Sequence, residues 1–196
     1  GVMTLIKNSL RPFTQFGVSN ERCTIIKLLN YIIVNVYLPC VGTMDRLEII
    51  DNLFGEISVQ LDSFSDHVYL IGGDFNCNVD HNDPAARMVI EFISEHQLIR
   101  CDECVGSKAA YTYSNESLNC HSCIDFFFVS NSARNCIDKF RVIDEGSNLS
   151  DHLPINVVCV CDDVNNSAKP TAPVKEKDSM QEYLRWDYAD LLASLT

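Results

Sequence analysis

No apolar run in this sequence approaches the roughly 18 residues that a membrane-spanning helix requires. Its start lacks the basic region, apolar stretch and small-residue cleavage site of a secretory signal. A membrane protein and a secreted precursor are therefore both poor readings. Positive charge is also scarce: 15 Lys and Arg face 27 Asp and Glu, giving a net charge of −12 and an isoelectric point near 4.7. That balance argues against a protein that holds nucleic acid by bulk charge alone, because phosphate binding leaves a basic footprint. Any nucleic-acid enzyme of this composition needs metal ions or a further basic segment to offset the repulsion. No internal repeat is present. The composition also argues against wholesale disorder, since charged residues are 21%, apolar residues 46% and mean hydropathy is about zero. A chain of 196 residues with that apolar content fits one domain plus a tail. It opens Gly1-Val2-Met3, without an initiator at the first position, and is expected to be a fragment.

Cysteine, by contrast, is abundant at 10 residues. Cys101-x2-Cys104 and Cys120-x2-Cys123 have the spacing of one class of structural zinc site. Cys123 lies within Cys123-Ile124-Asp125-Phe126-Phe127-Phe128-Val129, however, which has the pattern of a strand and not of a knuckle. Reduced cysteines acting as small buried hydrophobes are the preferred reading, and no structural zinc is expected.

Apolar and β-branched runs bounded by turn residues predict strands at Val2–Leu10, Cys23–Leu29, Tyr31–Leu38, Val68–Ile71, Ile99–Asp102, Tyr111–Ser114, Ile124–Ser130, Phe140–Ile143 and Ile155–Val160. Leu28-Leu29-Asn30-Tyr31 is expected to be a hairpin turn. Helical spacing of Leu47, Ile50, Leu53, Phe54, Ile57 and Leu61 predicts a helix between Met44 and Phe64. A second helix fits Pro84–His96, with Asp83 as N-cap and Met88, Phe92 and Ile93 inward. Helices between strand clusters predict an α/β layered sandwich. A domain over 1–162, a polar linker over 163–180 and a short amphipathic helix over 181–196 complete the expected organisation.

Three places set polar groups at the end of an apolar strand. In Val68-Tyr69-Leu70-Ile71-Gly72-Gly73-Asp74-Phe75-Asn76, two glycines permit close backbone approach before a carboxylate and a carboxamide. Extended geometry would put Asp74 and Asn76 on one side; an ordinary strand-ending turn is the alternative. Asp125 stands in a strand apolar enough to make an unpaired carboxylate costly, unless that strand shows a wet edge. Ser150-Asp151-His152-Leu153-Pro154 precedes the last strand and by itself is as compatible with a turn and an exposed histidine. Taken together, Asp125 can orient His152, Asp151 can ligate a hard cation, and Asp74 with Asn76 can position a water. Such groups suit metal-assisted hydrolysis of a phosphate ester.

The ordered motifs Tyr37-Leu38-Pro39, Gly73-Asp74-Phe75-Asn76, Ser122-Cys123-Ile124-Asp125 and Ser150-Asp151-His152-Leu153-Pro154 resemble those of the endonuclease/exonuclease/phosphatase superfamily, the fold of deoxyribonuclease I. Within it, Gly1-Val2-Met3-Thr4-Leu5-Ile6, Tyr111-Thr112-Tyr113-Ser114 and Arg185-Trp186-Asp187-Tyr188-Ala189 resemble segments of the endonuclease domain of non-LTR (LINE-type) retrotransposon polyproteins. The resemblance implies a four-layer α/β sandwich of two mixed sheets flanked by helices. It implies a DNA endonuclease using Mg2+, with Mn2+ as a substitute, and acting in the nucleus. The implied partners are DNA and a downstream reverse transcriptase domain. His152 would be the base or phosphate-contacting group, paired with Asp125; Asp74 would orient or deprotonate the attacking water; Asn76 and Tyr37 would contact the phosphate; Asp151 would bind the metal. The family's first strands, which carry an Asn and a metal-ligating Glu, have no counterpart, so the resemblance also implies N-terminal truncation and hydrolysis impaired in this fragment. Cys40 follows Pro39 where several members have a polar DNA-contacting Asn. A phosphatase or phosphodiesterase of the same fold, acting on inositol phosphates or as a sphingomyelinase, and a catalytically dead remnant are the alternatives.

Overall fold

Three runs of β-branched and aromatic residues dictate the centre of the molecule: β3 (Tyr31–Tyr37), β4 (Val68–Asp74) and β8 (Asp125–Ser130). The computed structural model describes residues 1–115, 117, 119–144 and 148–160. The strands β1 (Thr14–Ser19), β2 (Cys23–Leu28) and β5 (Leu98–Arg100) complete a six-stranded mixed sheet in the order β1-β2-β3-β4-β8-β5. Only β3 and β4 pair in parallel. Their crossover is α1 (Arg46–Asp62), the expected helix, which buries Ile50, Leu53, Phe54, Ile57 and Leu61.

The second helix, α2 (Pro84–Glu95), starts as predicted: the Asp83 carboxylate accepts from the Ala85 and Ala86 backbone N–H groups at 2.9 and 3.1 Å. Its buried residues are Ala85, Ala86, Val89 and Phe92, while Met88 and Ile93 are only partly covered. Phe54 and Phe92 stack with ring centroids 4.4 Å apart, locking the two helices together over one face of the sheet.

Against the opposite face lies a small antiparallel ladder of β9 (Ile137–Val142) and β10 (Ile155–Cys159), with the single turn α3 (Cys101–Cys104). Cys101, Val129, Ala133, Ile137 and Phe140 form this second core. A short ribbon, β6 (Tyr113–Asn115) with β7 (Cys120–Ser122), forms a separate ladder that is bridged to the chain at His152 through Tyr113. Helices, large sheet and small sheet make the expected α/β sandwich; three layers are seen among the described residues.

The strand expected at Val2–Leu10 is not one. Residues 2–6 do alternate, with Val2, Thr4 and Ile6 half-buried and Met3 and Leu5 exposed, but they join no ladder, and Asn8–Phe13 coils into a 3-10 segment containing Pro12. The edge strand is instead β1, whose half-wet pattern and Gly17 weaken its periodicity. The strand expected at Ile99–Asp102 stops at Arg100, because Asp102 is buried in a bidentate pair with that arginine at 2.6 and 3.0 Å, within the turn of α3. The hairpin at Leu28–Tyr31 is present, with Leu29 at φ 55°. The expected linker and terminal helix lie outside the described residues.

No disulfide joins any two of the nine described cysteines. The four with zinc-like spacing are not gathered: Cys101 and Cys104 line the small core, Cys120 is exposed on β7, and Cys123 is buried in the main core. Burial pushes the Cys77 thiol up to about 12, Cys123 up to about 11 and Cys101 further still.

Candidate active site

Cross-strand register assembles the centre. Tyr37, Asp74 and Asp125 are direct neighbours across β3, β4 and β8, and Asn35, Gly72 and Phe127 form the adjacent row. Because partners across a sheet share a face, both rows point away from α1 and α2. Two glycines make this possible. A Cβ on Gly72 would meet the Phe127 ring at 2.2 Å, and Gly73, at φ 140°, presses on the Val36 backbone, where a Cβ would sit 2.0 Å from the carbonyl oxygen.

Past Asp74 the chain leaves extended geometry. Asn76 adopts φ 49°, so it does not reach the side of Asp74 by strand alternation. It turns back: its backbone N–H donates to Asp74 Oδ1 at 2.8 Å and its Nδ2 to Asp74 Oδ2 at 3.0 Å. Nδ2 also donates to the Leu38 carbonyl at 2.9 Å, tying the turn to the end of β3. Asp74 and Asn76 are thus brought together by an Asx-type turn and not by the extended strand that was expected.

His152 approaches from the loop before β10. Its Nδ1 lies 2.9 and 3.2 Å from the two Asp125 oxygens. With Asp125 ionised, Nδ1–H donates to it and Nε2 is left as the nitrogen for proton exchange. The loop is held from several sides: Asn148 Nδ2 donates to the His152 carbonyl at 2.7 Å, the His152 N–H donates to Ser150 Oγ at 3.1 Å, and the Tyr113 ring sits edge-on at 5.1 Å.

Burial raises both carboxyls. Asp74 is pushed up to about 6, with Asp125 adding repulsion, while Asn76 and His152 pull it back. Asp125 is raised by burial against the opposing effects of Thr112 and His152. Asp74, Asp125 and His152 each bring a ligand atom within 4.8 Å of the others, the one such group among the described residues. Two facing carboxylates are oxygen donors suited to a hard divalent cation, while the imidazole is committed to Asp125.

Together these groups line a cleft of about 450 Å³ with Asn35, Gly72, Gly73, Phe127, Asn148, Ser150, Leu153, Pro154 and Ile155. Tyr37 ends β3 beside Asp74, with the Arg22 guanidinium 5.3 Å above its ring, and does not line the cleft. Asp151 is exposed and outside the clustered ligand atoms; its backbone carbonyl accepts from Ser114 at 2.8 Å. Thr112 was missed as a site residue. It is fully buried, and its hydroxyl accepts from the Ile124 and Asp125 N–H groups at 3.1 and 3.0 Å, fixing where β8 begins. The sole sequence signal was a lone hydroxyl between two tyrosines.

The sequence model of the endonuclease-reverse transcriptase family matches residues 31–156, a span that contains every motif of the cleft. No curated protein sequence matches the chain. Among solved structures, the 3′ phosphatase NExo from Neisseria, bound to a product DNA hairpin, is similar with a TM-score of 0.57 and 16% identity, over 74% of this chain and 70% of that one. That likeness shows a shared fold. With the cleft motifs inside the matched span and the fold shared, the chain belongs to the endonuclease-reverse transcriptase family, within the DNase I-like endonuclease/exonuclease/phosphatase superfamily of phosphoester hydrolases.

Proposed function

We propose that this chain is the endonuclease part of a polyprotein that also carries a reverse transcriptase, and that it nicks DNA by hydrolysing one phosphodiester bond. The observation that supports this most is the pairing of His152 with Asp125, at 2.9 Å, across from an Asp74 held at both oxygens by Asn76. One pair exchanges protons and the other orients water, with His152, Asp125 and Asp74 lining one cleft and Asn76 behind Asp74.

In the reaction, Asp74 aligns the attacking water with the phosphorus and takes its proton as the new P–O bond forms. Asp125 holds the imidazole ring and stabilises its protonated form, from which Nε2–H of His152 passes a proton to the leaving oxygen as the old P–O bond breaks. Asn35 borders the substrate from the wall of the cleft, and Tyr37, outside that wall, flanks Asp74 on the same sheet face. A divalent cation, Mg2+ or Mn2+, would be held by Asp74 and Asp125, with Asp151 as a further oxygen donor, and when bound supplies neutralisation of phosphate charge. It would also offset part of the negative charge, net −12 over the chain, that repels DNA.

Removal of a terminal phosphate is the second reading, favoured by the phosphatase activity named for the structural neighbour. Supercoiled plasmid and a hairpin ending in a 3′ phosphate, each incubated with Mg2+, separate the two. Nicked circles lost in the His152→Ala variant support the endonuclease. Phosphate release without nicking supports the second reading, and silence on both substrates supports an inactive remnant.

A further inference from the structure

The turn that carries Asp74 and Asn76 has a third anchor. Arg46, the first residue of α1, donates from Nη2 to the Asn76 carbonyl at 2.8 Å and from Nε to the Pro39 carbonyl at 3.0 Å. These carbonyls belong to the loops that follow β3 and β4, whose ends meet at the Tyr37–Asp74 pair. One edge of one guanidinium therefore spans both loops on the far side of the Asn76 side chain, which itself bonds Asp74 and the Leu38 carbonyl. The planar fork of arginine, with Nε and Nη2 on one edge, suits this; a lysine ammonium is a single point of charge without a fixed fork.

At the start of α1, Asp45 takes a left-handed φ of 56° and its side chain caps nothing; Glu48 supplies an acid to the first turn, yet the first helical position holds the cation Arg46, at the positive end of the helix dipole. That position delivers a guanidinium to the catalytic turn.

We propose that Arg46 is a positioning residue for hydrolysis: it pins the left-handed Asn76 turn and so fixes the Asp74 carboxylate that Asn76 holds. This rests on the hydrolase reading above. In the full chain, Arg46→Met keeps the aliphatic stem and removes both bonds, and Arg46→Lys restores one. The expected result is a fall in kcat of about 100-fold for the Met variant with KM little changed, as for a catalytic group displaced by about 1 Å, and partial recovery by Lys. The NMR signals of the Asn76 side-chain amide should shift toward free asparagine in the same order, with melting temperature nearly constant. A Met variant with the parent's kcat, or with an unshifted Asn76 amide, overturns the assignment. If the parent chain itself does not cleave, the hydrolase reading fails, and the Asn76 amide still decides the role of Arg46.

Discussion

On the helix side of the six-stranded sheet, Ile32, Val34, Val36, Ile71 and Phe128 are at most 1% exposed and belong to one hydrophobic core cluster. Alternate residues of the same strands face the other way and present Asn35, Gly72, Asp74 and Asp125 to a cleft. Period-two alternation thus separates cohesion from chemistry within single strands. It also lets the costly groups sit safely. Two facing carboxylates repel, yet they are carried on strands whose opposite surface is the main core.

The separation makes sharp predictions. The largest effect is expected from His152→Ala, which should lower nicking by roughly 10²–10⁴-fold with little change in thermal midpoint; loss of folding in this variant would merge what the sheet keeps apart. Gly73→Ala breaks both sides at once, since its Cβ would collide with the Val36 backbone in a left-handed conformation. Destabilisation beyond about 3 kcal/mol is expected from such a clash, measured by urea unfolding. Ile57→Ala on the helix side should cost about 2–5 kcal/mol while each folded molecule keeps its rate.

A smaller, pH-dependent effect comes from Asp74. Its folded pKa, about 6, lies above the ordinary value of 3.8, so the native state binds the extra proton between them. Stability contributed by the protonated form is present at low pH and lost as pH rises through about 6. Asp74→Asn should flatten that part of the stability curve in metal-free buffer and leave a protein more resistant to urea at pH 8 than the parent. The smallest change, Asp83→Ala, removes the cap of α2 and should cost about 1 kcal/mol without touching hydrolysis.

Much of this division was legible in the sequence. Asp74, Asn76, Asp125 and His152 each stand where an apolar strand meets polar residues, and a buried charge there demands a partner. The Gly-Gly pair announced close packing. Thr112 and Arg46 were not legible, because their partners are backbone groups brought near only by folding, and a backbone carbonyl leaves no trace in sequence. Residues 2–10 misled for the opposite reason. Their alternation is real, but a strand needs a neighbour as well as a pattern. Asn76 was located correctly and posed wrongly, since its left-handed conformation is a local choice that side-chain hydrogen bonds decide.

Nicking of supercoiled plasmid in Mg2+ by the parent chain, beside Asp125→Asn and His152→Ala prepared identically, tests the central claim most directly. Open circles formed by the parent and suppressed at least about 100-fold in both variants are expected from a site in which an aspartate-held imidazole exchanges the proton. Equal nicking by all three proteins would contradict hydrolysis at this cleft.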